Sequence, residues 1–118
     1  FLDIKRDTYN YYKNAIYDID GLTVSEVPAY SINNHWMVLI KINEKIYKFD
    51  REGLMNWLSS HGIQTRPAWS PIHLQKPYSS YQNYKITMAN KLVDESLCIP
   101  ASTNISKENL NKVISILK

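Results

Sequence analysis

Between Gly62 and Tyr78 the chain strings a guanidinium (Arg66), an indole (Trp69), an imidazole (His73) and an ammonium (Lys76) along backbone braced by Pro67, Pro71 and Pro77. Proline fixes φ and withholds an N–H donor, so this segment can be neither a helix nor a central strand. It is expected to form a stiff, extended surface lip. Two cations, a flat ring and a titratable ring on such backbone suit an anionic ligand with a planar or apolar part. Arg66, directly after a short strand and before Pro67, can fork onto a carboxylate or phosphate, with an ordinary salt bridge as the alternative. His73 is the foremost candidate for ligand contact, because no regular element can hide it. Trp69 either stacks on a ligand ring or plugs the core.

Asn34 and His35 directly precede the apolar run of residues 36–42. His35 is either a site residue or a satisfied histidine at a strand edge, and Asn34, like Asn33, is a turn residue with a smaller claim to a ligand. His61 sits at a helix end, where a protonated imidazole complements the dipole. The three histidines and the single Cys98 have no metal-ligand spacing. Cys98 lies inside Leu-Cys-Ile-Pro and is expected to be buried as a small apolar residue. With only three glycines there is no phosphate-cradling loop, and no nucleophile elbow or carboxylate pair occurs. The residues offer binding without a catalytic engine.

The elements that must carry them follow from periodicity. Tyr12, Ala15, Ile16 and Ile19 fall on one helical face, so a helix is expected over residues 1–19, ended by Gly21. Residues 22–27 make a short edge strand or loop, limited by Pro28. Residues 36–42 form the central strand, covered on both faces, and residues 46–49 return as a short strand. Asp50 caps a helix that ends at Gly62 with Ile63 in a Schellman contact. A helix over residues 86–96 turns Met88, Ala89, Leu92 and Val93 inward, residues 97–100 add a short strand, and Ser106 caps a last helix with Leu110, Val113, Ile114 and Leu117 on one face. This order predicts an α+β fold, a small mainly antiparallel sheet packed with helices.

The 118 residues fit a single domain. A net charge of +3, evenly spread, does not make the concentrated basic face of a nucleic-acid binder. No stretch has the apolar length to span a bilayer and no signal peptide is visible, so the default compartment is the cytoplasm. The chain opens at Phe1-Leu2-Asp3 inside helical pattern, as a piece of a longer protein would.

Gly62-Ile63-Gln64-Thr65-Arg66-Pro67 with Trp69, Pro71, His73 and Pro77-Tyr78, followed by a helix, Leu97-Cys98-Ile99-Pro100-Ala101-Ser102 and a capped final helix, resembles the closing part of the DegT/DnrJ-type nucleotide-sugar aminotransferases. These are pyridoxal phosphate enzymes of the aspartate aminotransferase superfamily. The pattern is most similar to the branch acting on UDP-linked 4-keto-6-deoxy amino sugars, as in legionaminic acid or bacillosamine pathways. The resemblance implies that residues 1–118 are the small C-terminal domain of a longer enzyme whose N-terminal domain holds the cofactor and the Schiff-base lysine. It implies a homodimer that transfers an amino group from glutamate to a UDP-4-keto-6-deoxy sugar for cell-surface glycans, with this domain closing one side of the cleft. Trp69 and His73 then match the loop facing the sugar or its diphosphate, Arg66 the basic residue closing the preceding strand, and Asn34 and His35 the start of the central strand near the cleft. No lysine here has the family's Ser-rich lead into the Schiff-base position and no Asp lies in the matching context, so the chain alone is expected to bind no cofactor and to be inactive. The alternative is a stand-alone module that binds nucleic acid or protein through its nine tyrosines and mild positive charge.

Overall fold

Val38, Ile40 and Ile42 alternate with Leu39 and Lys41, and in the computed structural model, which describes residues 1–118, they build strand β2 (Val38–Ile42). β2 pairs antiparallel with β1 (Leu22–Val24) on one side and on the other with a strand from near the end of the chain, β4 (Ser96–Ile99). β4 in turn pairs antiparallel with the two-residue edge strand β3 (Arg66–Pro67), giving the order β1-β2-β4-β3. The register sets Ile42 opposite Leu22, Ile40 opposite Val24 and Leu97, and Val38 opposite Ile99. All seven side chains therefore share one face, and all are buried.

Three helices cover that face: α1 (Leu2–Ile16), α2 (Arg51–Ser60) and α4 (Lys107–Leu117). They contribute Tyr12 and Ile16, Leu54 and Leu58, and Leu110, Val113, Ile114 and Leu117 to one core cluster of 18 residues. The α+β class with an antiparallel sheet is as expected. On the opposite face β2 is not covered, which corrects the expectation of a central strand packed on both sides: Lys41 is exposed and Leu39 half-buried, although Ser96 and Cys98 of the neighbouring β4 are buried. An antiparallel sheet tolerates this because only one face needs a core.

Local chemistry fixes the ends. Asp50 Oδ1 accepts from the Gly53 amide at 2.7 Å and Ser106 Oγ from the Asn109 amide at 3.1 Å, as N-caps should. After α2 the Gly62 amide reaches Ser59 O and the Ile63 amide reaches Leu58 O, both at 2.9 Å, completing the Schellman pattern with Gly62 at φ +74°. α1 stops at Ile16, short of residue 19, and Gly21 (φ +82°) makes the turn into β1.

Four further expectations are corrected. Residues 46–49 form no strand, because the Ile46 and Tyr47 amides both turn back to Asn43 O at 3.0 and 2.8 Å. The helix expected over residues 86–96 is only α3 (Met88–Asp94); Met88 and Leu92 are exposed instead of inward, Ala89 and Val93 are half-buried, and Ser96 already belongs to β4. The proline lip is not extended throughout. Residues Ile72–Leu74 and Lys76–Tyr78 wind into two 3-10 turns, joined at Gln75, whose φ of −81° and ψ of 135° are extended. Arg66 lies within an edge strand and does not follow one, and the edge position is what admits Pro67. No helix is long and apolar enough to cross a membrane.

Candidate functional site

Where the open sheet face meets its β3 edge, a groove of about 320 Å³ lies among Arg66, Trp69, Trp36, Lys5, Thr65 and Cys98. Antiparallel pairing of β3 with β4 puts Arg66 opposite Cys98, so the guanidinium starts from the side of the sheet away from the core. Arg66 is exposed and enters none of the five salt bridges of the chain. Trp69, 68% exposed, meets the edge of Trp36, 59% exposed, with ring centroids 5.4 Å apart at 72°. No Asp or Glu lines the groove. A free cation beside two exposed indoles, with no competing carboxylate, has the chemistry to attract an anion that carries a flat or apolar part.

The residues before β2 aim Trp36. Asn33 Oδ1 accepts from the His35 amide at 2.7 Å and Asn34 Oδ1 from the Trp36 amide at 3.0 Å, consecutive Asx-type turns that hold His35 at φ +48°. Lys5 of α1 ties this corner to the far end of β4, its Nζ donating to Trp36 O at 3.0 Å and to Ala101 O. Thr65 Oγ1 is buried without a partner in the same lining. Burial pushes the Cys98 thiol up, so it stays protonated, with Sγ 4.0 Å from Met37 Sδ.

Of the residues singled out in the sequence, the structure brings Arg66 and Trp69 together and leaves the others apart. His73, half-buried, lines a second groove on the lip with Pro71, Ile72, Tyr78 and Tyr84. His35 stacks on Tyr9, centroids 4.1 Å apart at 28°, and its pKa is lowered by burial and by the Arg6 charge, which favours the neutral ring. The side-chain oxygen of Asn34 is taken by its turn. Trp36 and Lys5 were missed. Trp36 reads as the first residue of a strand, and a Lys5 contact to Ala101 spans 96 positions, which no local pattern reveals.

A pyridoxal phosphate site asks for a lysine amine free to form a covalent link and a carboxylate facing the pyridine nitrogen. The groove does not fit that group. Its only lysine is Lys5, whose amine two carbonyls already hold, and it has no carboxylate. No three His, Cys, Asp or Glu side chains gather as a metal site either.

The chain is 23% identical over 117 residues to EpsN of Bacillus subtilis (strain 168), named as a pyridoxal phosphate-dependent aminotransferase, with 96% of this chain and 29% of EpsN covered. It is 23% identical over 82 residues to the GDP-perosamine synthase of Caulobacter vibrioides, 70% of this chain and 22% of that protein. The crystal structure of DesI, determined in the presence of its TDP-sugar product, superposes with a TM-score of 0.86 at 26% identity, over 98% of this chain and 30% of DesI. The chain thus spans under a third of the length of these relatives. The profile of the DegT/DnrJ/EryC1/StrS aminotransferase family matches all of residues 1–118, and the chain belongs to that family.

Proposed function

We propose that residues 1–118 are the small C-terminal domain of a pyridoxal phosphate-dependent nucleotide-sugar aminotransferase, and that the domain closes one side of the substrate cleft. The cofactor and its lysine sit on chain outside these residues. The enzyme works as a homodimer in the cytoplasm, moves an amino group from glutamate to a UDP-linked 4-keto-6-deoxy sugar, and serves cell-surface glycan synthesis. Support comes from the family membership, from relatives named for nucleotide-sugar chemistry, and above all from one observation: Arg66 stands unpaired beside Trp36 and Trp69 in a groove without acids.

Arg66 orients an anionic group of the substrate and the indoles shield it from water, while His73 acts from the lip. Asn34 and His35 contribute by setting the corner that presents Trp36. Residues 1–118 alone transfer nothing.

The test is made on the intact parent enzyme. The parent absorbs as a pyridoxal phosphate protein and yields an amino sugar, detected by mass, from glutamate and a UDP-4-keto sugar; residues 1–118 do neither. Losing a hydrogen-bonded charge pair costs about 1.5–3 kcal/mol, so Arg66→Ala raises KM for the sugar nucleotide or glutamate roughly ten- to a hundred-fold. A parent without amino transfer, or an Arg66→Ala variant with unchanged kinetics, removes the proposal.

A further inference from the structure

His35 is held in an uncommon way. Its backbone lies at φ +48°, a left-handed position that residues with a Cβ seldom take, between the Asx-type turns of Asn33 and Asn34. Its half-buried ring stacks on Tyr9 of α1, a buried phenol whose hydroxyl donates to Ser25 O at 3.1 Å. Neither ring nitrogen of His35 enters a hydrogen bond or any of the five salt bridges, so the stack is what ties this ring to α1. The next residue is Trp36, whose indole meets Trp69 and whose carbonyl takes the Lys5 ammonium. Stack, corner and groove therefore stand in series.

The charges around this ring are mostly of one sign. From α1 come Lys5, at Trp36 O, and Arg6, paired with Asp3 at 3.4 Å. Asp7 is two residues from Tyr9, about 200° round the helix and so on its other side. Beyond β1, Glu26 is held by Lys13 at 3.6 Å. Arg66 of β3 lines the groove with Trp36, and β4 carries no charge. An imidazolium here has no carboxylate to receive it. We propose that the His35–Tyr9 stack is a proton-operated latch, which holds the Trp36–Trp69 groove in shape while the imidazole is neutral and frees the Trp36 corner when the ring takes a proton. Burial first, and the Arg6 charge second, lower the pKa of the stacked ring from its ordinary 6.5. The stacked form thus binds fewer protons than the released form, and acid favours release. The latch is fully set above about pH 6.5 and opens progressively below it. This holds for the groove whatever anion it takes.

The test follows the His35 imidazole and the Trp36 indole of residues 1–118 by NMR between about pH 8 and about pH 5, the range in which histidine titrates. The His35 midpoint lies below its value in the urea-unfolded chain, and the Trp36 indole signal moves with that same midpoint. Arg6→Gln removes the repelling charge and raises the midpoint. His35→Asn suits a left-handed position and does not titrate, so its Trp36 signal stays flat. Unmoved amide signals of the core residues Val113 and Ile114 show that both variants are folded. Should either variant misfold, the unsubstituted titration still decides. A folded midpoint at or above the unfolded one, a Trp36 signal that ignores the His35 titration, an Arg6→Gln midpoint that does not rise, or a His35→Asn chain that keeps the original Trp36 titration each overturns the proposal.

Discussion

Gly21→Ala and Gly62→Ala place the same methyl group at two left-handed backbone positions, φ +82° and +74°, with different surroundings. The left-handed conformation costs a non-glycine residue about 1–2 kcal/mol, and the two sites share that cost. At Gly62 the added carbon has only Lys112 Nζ within reach, at 3.9 Å, so little else follows. At Gly21 it would lie 2.5 Å from Tyr47 N and 2.8 Å from Tyr47 Cβ. Tyr47 cannot retreat cheaply, since its amide is bonded to Asn43 O at 2.8 Å and its hydroxyl to Leu117 O at 2.7 Å. Overpacking of this kind adds about 1–3 kcal/mol, which brings Gly21→Ala to about 2–5 kcal/mol. Urea unfolding of residues 1–118, followed by circular dichroism and by tryptophan fluorescence, gives the two losses. In thermal unfolding, with about 4 °C lost per kcal/mol for a domain of this size, the midpoints fall by about 8–20 °C and about 4–8 °C. The smaller unfolded-state entropy from glycine removal cancels in the comparison. Equal losses, or a larger one at Gly62, would refute the steric argument.

Other outcomes follow from burial and bonding. Leu58→Ala empties a fully buried site and costs about 2–5 kcal/mol, whereas Met88→Ala on the uncovered face of α3 changes stability by less than about 0.5 kcal/mol; urea midpoints reversing that order would show the core misplaced. Burial pushes the Tyr47 phenol up to about 12, and burial with the Tyr11 phenol raises Tyr12. A raised folded pKa means that the native state keeps a proton the unfolded chain releases, so this stability is fully present below about pH 10 and is lost between about pH 10 and 12. Tyr47→Phe therefore flattens the alkaline limb of a stability–pH curve, and an unchanged limb counts against the shift. Lys5→Met frees Trp36 O and Ala101 O for water at about 1 kcal/mol and alters Trp36 emission, which an identical spectrum would contradict.

How much of this was legible depended on whether the deciding interaction was local. Asp50, Ser106 and Gly62 announce their caps through bonds that reach at most five residues, and the last helix shows its buried face directly as Leu110, Val113, Ile114 and Leu117. Ile46 and Tyr47 have strand composition, yet Asn43 captures both amides before any strand can pair with them. The periodicity of α3 is genuine, but Met88 and Leu92 stay exposed within residues 1–118. At the site, the prolines and Arg66 pointed to the lip. That Trp36 and not His73 would stand beside Trp69 depends on the sheet order and on the Asn33 and Asn34 turns.

The strand order also governs how the chain comes into being. β4 lies between β2 and β3 although synthesis reaches it late. Until Ile99 has left the ribosome, β2 can pair only with β1, a two-stranded ribbon that is marginal in water, and β3 has no strand to join. Collapse of this domain is therefore deferred until β4 becomes available. Until then these residues remain open to proteases and chaperones, and a stop before residue 96 removes the strand that joins β2 to β3.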